Sequence, residues 1–244
     1  MLRHPRPATR STAFRAGMLL GAIWLAACTP HATREARTQP PATGAEAIVQ
    51  REGAPWILDS SASELRVLVY RSGALARLGH NHVLRARQLE ARAWEGPDGS
   101  LTGAGVDLRI PVAQFVVDDP GDRSEAGPEF AAPVSDAARS GTLANLLRAE
   151  VLDAAAFPDL RVRATVVSVA GTSAVSRARV TIRAVTREIE LPLTLETDGG
   201  GLVASATVAL RQSDFDMVPF SIGGGAIAVA DEVQVQFKLR FTLD

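Results

Sequence analysis

A single cysteine, Cys28, stands in 244 residues, so no internal disulfide can staple the fold. Histidine is nearly as scarce: after His4 and His31 only His80 and His82 remain. Any catalytic metal in the body of the chain would therefore need carboxylates to complete its ligand set. No stretch interleaves aromatic and basic side chains in the manner of a base-stacking surface. The formal charge of the chain is -1; taking away residues 1–27, which hold Arg3, Arg6, Arg10 and Arg15 and no acid, leaves -5. A mildly acidic body is a poor counterion for phosphate backbones, which argues against a nucleic-acid partner. Two further chemistries lack their parts. The GGGA run at 223–226 precedes no Lys-Ser or Lys-Thr at a strand-to-helix junction, so it reads as a turn and not as a phosphate loop. Ser213 and Asp214 are neighbours in a strand-like run, where adjacent side chains point to opposite faces, so they make no nucleophile and base pair.

What the N-terminal region does have is an order of residue types. Four arginines precede the apolar run GMLLGAIWLAA at 17–27, which ends in Leu25-Ala26-Ala27-Cys28. Positive, then apolar, then small is the layout of an export signal, and the run is too short for a comfortable membrane span. Leu-Ala-Ala-Cys resembles the lipobox of bacterial lipoproteins. The resemblance implies cleavage before Cys28 and acylation of its thiol. Thr29 in place of Asp implies the outer rather than the inner membrane, on its periplasmic face. Acyl chains contribute about 0.8 kcal/mol per buried methylene, so two or three on Cys28 would hold the protein to a leaflet. Residues 28–53 are rich in Pro, Thr and Ala without an apolar period and read as a tether, with His31 inert within it. The expected division is thus signal at 1–27, lipidated cysteine and tether at 28–53, and one folded domain at 54–244.

From Trp56 onward a period of two dominates. Val233, Val235, Phe237, Leu239, Phe241 and Leu243 alternate with polar partners, and Leu202, Ala204, Ala206, Val208 and Leu210 repeat the pattern. Ile189, Leu191, Leu193 and Leu195 do the same, preceded by Val180 and Ile182 across a short AVTR link at 184–187 that predicts a hairpin. Further strands are predicted within 64–70, 82–94, 104–112 and 160–169, about eight in all. One segment, 135–152, places Leu143, Leu146, Leu147 and Val151 at helical spacing, and Phe157-Pro158 ends it. Apolar faces on eight antiparallel strands must meet, as a sandwich or as a closed barrel that also removes exposed edges. A barrel of that size is filled by side chains or holds one small ligand. Ala164, Ala178, Ala204 and Ala206 at inward positions leave room unless large neighbours take it.

The stretches ILDSSASELRVLVY at 57–70, NLLRAEVLDAAAFPDLRVRA at 145–164, RARVTIRAVTREIELPLTLE at 177–196 and ALRQSDFDMVPFSIGGGAIAVADEVQVQFKLRF at 209–241 resemble, in order and spacing, the YceI-like family of lipid-binding proteins. That resemblance implies an all-β, eight-stranded antiparallel, lipocalin-like barrel with one short helical flap. It also implies an exported carrier of a polyisoprenoid or quinone-type lipid, without a cofactor and without catalytic residues.

RLGHNH at 77–82 opens the second strand. Residues i and i+2 of a strand share a face about 6.5–7 Å apart, so His80 and His82 could share a metal with Asp59, Asp214, Asp216, Asp231 or Glu232. They could instead hydrogen-bond backbone or acidic partners at the barrel end. In a third reading, neutral imidazoles beside Asn81 donate to a quinone carbonyl or a lipid hydroxyl. His80, Asn81 and His82, with Leu143, Leu146, Leu147 and Phe157 as the flap, form the expected ligand site. A metal-dependent enzyme or redox accessory, and an envelope scaffold with a filled barrel, are the competing readings. Asp118 and Asp119, beside Pro120, read as solvated loop carboxylates.

Overall fold

The computed structural model describes residues 56–243. Cys28, the signal segment and the tether lie outside the described residues. Twelve strands are present: β1 (Trp56–Leu58), β2 (Glu64–Ser72), β3 (His82–Ala86), β4 (Glu90–Trp94), β5 (Gly105–Pro111), β6 (Phe115–Val117), β7 (Asp159–Ala170), β8 (Ser173–Ile182), β9 (Val185–Asp198), β10 (Gly201–Arg211), β11 (Ser221–Ile222) and β12 (Ile227–Leu243). They reduce to eight staves. The first three are each interrupted once, as β1 with β2, β3 with β4, and β5 with β6, while β7 through β10 and β12 are continuous. Every pairing is antiparallel.

The ring closes on β12. On one side it pairs with β10 from Leu202↔Phe241 to Arg211↔Glu232. On the other it meets β1 at Trp56↔Leu243 and β2 from Glu64↔Lys238 upward. The result is the closed eight-stranded antiparallel barrel that the alternation predicts.

Alternation is cleanest in β8. Ala174, Ser176, Ala178, Val180 and Ile182 are buried, whereas Ser173, Arg177 and Arg179 are exposed. The hairpin that follows is tighter than the sequence suggests. Ile182 pairs with Val185, so only Arg183 and Ala184 form the turn, and Thr186 and Arg187 already belong to β9. Arg183 takes a left-handed φ of 56° to make it. At 223–226 three successive glycines have φ of 60°, 65° and 90°, a conformation side chains resist, and they connect β11 to β12 as the expected turn. Ser213 departs from expectation. It lies in a 3-10 turn at Gln212–Phe215 rather than on a strand, and its hydroxyl donates to Asp231 at 2.6 Å, not to Asp214.

Two α-helices lie between β6 and β7. The first, α1 (Pro120–Glu125), is not anticipated by the apolar period, although Asp119 caps it by accepting from Gly121 N–H at 2.9 Å and Pro120 sits at its first position. The second, α2 (Asp136–Leu146), is shorter than 135–152. Ser135 caps it, accepting from Ala138 N–H at 3.2 Å. Beyond Leu147 the chain unwinds, and Asp153 N–H donates to Arg148 at 2.7 Å while Asp153 turns left-handed at φ 47°. The helical spacing persists past the helix because Leu143, Leu146, Leu147 and Val151 all pack against the same core, which a wide turn satisfies as well as a helix does.

A second, small cluster sits outside the barrel wall. Phe130, fully buried, packs with Leu68 and Val83 on the outer face of β2 and β3, with Tyr70 stacked at a tilt 5.5 Å from the Phe130 ring. The segment carrying Ala126 and Phe130 is thereby fastened to the wall.

Candidate functional site: an apolar cavity with an oriented histidine

Inward side chains of the eight staves do not fill the barrel. A cavity of about 370 Å³ remains, within the range of roughly 300–1,000 Å³ usual for pockets that hold small molecules. Its wall is aliphatic and aromatic, with Leu108, Val162, Ile189 and Phe237 typical of it and Trp56 and Trp94 contributing indoles. Ala164, Ala178 and Ala204 line it as their parity requires, and Ala206 packs beside them against Leu191. The filled barrel of the scaffold reading is not what the interior presents.

Polar groups on this wall are few. His82, at the start of β3, faces inward beside Val69, its partner on β2, and lines the cavity. Its Nδ1 lies 2.6 Å from Oδ2 of Asp118. Asp118 is completely buried. Its other oxygen accepts from Val83 N–H at 2.9 Å and from the Arg123 guanidinium at 2.5 Å. Arg123 is itself buried and also donates to the carbonyls of Asn81, at 2.7 Å, and Ala132, at 2.8 Å. Burial pushes the Asp118 carboxyl up, but the hydrogen bonds from His82, Val83 and Arg123 outweigh it and hold the group below its ordinary value. Asp118 is thus the opposite of the solvated loop residue expected from Asp-Asp-Pro. It is an ionised, acceptor-only carboxylate with a structural cation on one oxygen and a histidine on the other.

The structure separates the sequence-derived site residues. His82 and Leu146 line the cavity; His80, Asn81, Leu143, Leu147 and Phe157 do not. His80 is exposed, with its ring centroid 6.4 Å from that of His82. Asn81 is buried and spent on the backbone, accepting from Arg71 N–H at 3.0 Å and donating to the Glu129 carbonyl at 3.1 Å. It thus serves the loop backbone and does not reach the cavity. Leu143 and Leu147 pack on the main core beside Leu146, and Phe157 is half-buried where β7 begins. Two of the five carboxylates named as partners for the histidines on a metal are engaged elsewhere, Asp59 with Ser61 and Asp231 with Ser213. No set of three His, Cys, Asp or Glu among the described residues converges on a point.

Among the polar residues of the site that escaped the sequence reading, Asp118 and Ser176 are the most buried. Asp118 follows the apolar run of β6, and only its pairing with an arginine five residues on, brought round by α1, explains its burial. Ser176 was within reach of the period-two rule, which puts it on the same inward face as Ala178. It is 1% exposed, lines the cavity, and its hydroxyl has no hydrogen-bond partner among the described residues.

The family model of the YceI-like domain matches residues 56–241. No curated protein sequence matches the chain. Among solved structures, Burkholderia cenocepacia BcnA is similar at 17% identity, covering 75% of this chain and 98% of its own, with a TM-score of 0.56. The Campylobacter jejuni YCEI protein is similar at 12% identity, covering 64% and 82% respectively, with a TM-score of 0.47. The likeness to BcnA lies in the fold.

Proposed function

The chain belongs to the YceI-like family, and on that premise we propose that it is a non-enzymatic lipid-binding protein whose barrel sequesters or carries an isoprenoid-type amphiphile, a polyprenyl lipid or quinone, in the bacterial envelope. The observation that carries this reading is the cavity itself: about 370 Å³ enclosed by aliphatic and aromatic side chains with few polar groups. Such a wall needs no reactive residue to hold a tail. Each methylene moved from water contributes about 0.8 kcal/mol, so a few isoprene units give useful affinity from burial alone. Thr142, Asn145 and Leu146 of α2 border this space and form its flap in this reading, with Leu143 and Leu147 packed on the same core. His82 supplies orientation. The lipobox-like Leu-Ala-Ala-Cys makes Cys28 the membrane anchor in this reading, with the periplasmic face of the outer membrane as the site of action.

Organic extraction of the natively purified full chain, followed by mass spectrometry, tests the ligand. Near-stoichiometric isoprenoid is the expected result. Recovery of no lipid, together with no uptake of added quinone or polyprenol, would overturn the reading. The anchor is tested separately by Cys28→Ser, which should release the protein from the membrane fraction and remove the acyl mass.

A further inference from the structure

An imidazole beside a lipid head group could act as donor or as acceptor, and the surroundings of His82 decide between the two. Asp118 is buried, pairs with Arg123, and accepts from Val83 N–H. It has no proton to give, so the 2.6 Å contact with His82 requires the proton to sit on Nδ1 of the histidine. A neutral imidazole whose Nδ1 carries the proton has a bare lone pair on Nε2. No protein group among the described residues hydrogen-bonds that nitrogen, and His82 lines the cavity. Asn81, its neighbour, does not reach the cavity and uses its amide on the Glu129 carbonyl, and the Gln212 amide on the wall donates to the Ala230 carbonyl. In its neutral form His82 thus presents an acceptor, where the sequence suggested a donor, to a wall on which Ser176 carries a hydroxyl without a partner among the described residues.

We propose that His82, held by Asp118, is an acceptor subsite that selects amphiphiles carrying a hydroxyl on the head group. The barrel would then favour a prenol or the hydroquinol form of a quinone over the oxidised quinone, whose carbonyls only accept. The inference rests on the lipid-binding reading above and adds to it a preference for chemical and redox state. A quinone carbonyl facing the Nε2 lone pair would leave two acceptors opposed in an apolar enclosure, and an unmade hydrogen bond costs most there. A hydroxyl satisfies both sides. Asp118 is a positioning residue in this scheme: it touches no ligand and acts by fixing the proton on the ring.

The test uses the full chain in detergent micelles with two probes that differ only in the donor, geranylgeraniol and its methyl ether. Binding is followed by the fluorescence of Trp56 and Trp94, both of which line the cavity. The alcohol should bind about tenfold tighter than the ether, the size of one well-made hydrogen bond. His82→Leu should erase that ratio, and urea unfolding of the variant with an unchanged slope separates loss of the subsite from loss of the fold. Decylubiquinol should displace the ether more effectively than decylubiquinone, kept apart under reducing and oxidising conditions. Nitrogen-15 shifts of the His82 ring should report a protonated Nδ1 and a bare Nε2. Equal affinity for alcohol and ether, a ratio that survives His82→Leu, or a proton on Nε2 would each overturn the subsite while leaving lipid binding intact. Failure of both probes to bind, with no lipid in the extract, would instead overturn the lipid-binding reading.

Discussion

The half of the barrel built from β7 to β10 and the quadrant running from β3 through α2 solve different problems. In the first, long uninterrupted strands are joined by short turns, and inward positions are almost wholly apolar. In the second, strands are short and broken, and Asp118, Asp122, Arg123 and Asn81 are buried. Asp122 lies with both carboxylate oxygens against Nε of Arg85, at 2.9 and 2.8 Å. The regular half makes a container and tolerates exchange of one aliphatic residue for another. The irregular quadrant orients a single polar group toward the contents and depends on each partner in its network. A hydrophobic wall can be built from periodicity alone, whereas an aimed nitrogen requires buried charges, each of which must be compensated.

Breaking the charge network should have the largest effect. Arg123→Met leaves Asp118 ionised, buried and without its cation, a loss of about 3–5 kcal/mol by analogy with broken buried pairs. Urea unfolding with an unchanged slope would measure it; a loss below about 1 kcal/mol would mean that the quadrant is no more exacting than the wall.

Acid should expose the same contrast. Because the folded-state value of Asp118 lies below its ordinary 3.8, its contribution is fully present above that pH and is lost as pH falls through the folded value. Unfolding midpoints of the unmodified protein should therefore decline on acidification below about 3.8, and Asp118→Asn should decline less steeply. Parallel acid limbs in the two proteins would remove Asp118 from the account.

In the container, Ala178→Leu adds bulk at a fully buried position on the cavity wall. It should cost no more than about 1–3 kcal/mol of stability and yet reduce lipid recovered on extraction several-fold, since the added atoms occupy ligand space. Smallest is Ser135→Ala at the cap of α2, about 1 kcal/mol, read as faster amide exchange in α2 without change in the β7 to β10 strands.

How much of this could be read from the residues follows the same division. The C-terminal strand from Val233 to Leu243 and the inward alanines were legible because parity on a strand fixes a face, and closure of eight such faces leaves few alternatives. The break of 82–94 into β3 and β4 at 87–89 was missed although the residues carry it, since the apolar positions change parity there, from Leu84 and Ala86 to Leu89, Ala91 and Ala93. Asp118 was misread because a carboxylate beside Asp-Pro in a polar stretch is ordinarily solvated; its burial depends on Arg123 and on Phe130 packing the segment against the wall, neither of which is a local property. His82, singled out in the sequence, lines the cavity, but its hydrogen-bonding sense could not be known before its partner was. The helical period across 143–151 signalled burial on one core more faithfully than it signalled helix.

The seam at β12 carries a consequence for how the molecule comes into being. Trp56 faces Leu243 across it, and β2 faces the first half of the same strand. Until the residues of β12 have left the ribosome, the first and seventh staves stand as two bare margins, each able to recruit a stranger's backbone. Assembly is thus gated by the arrival of one segment, and contacts so remote along the chain make that final step slow. A cell making this protein must keep the 171 residues from Trp56 to Ala226, greasy and unsealed, out of bad company before the last stave drops in.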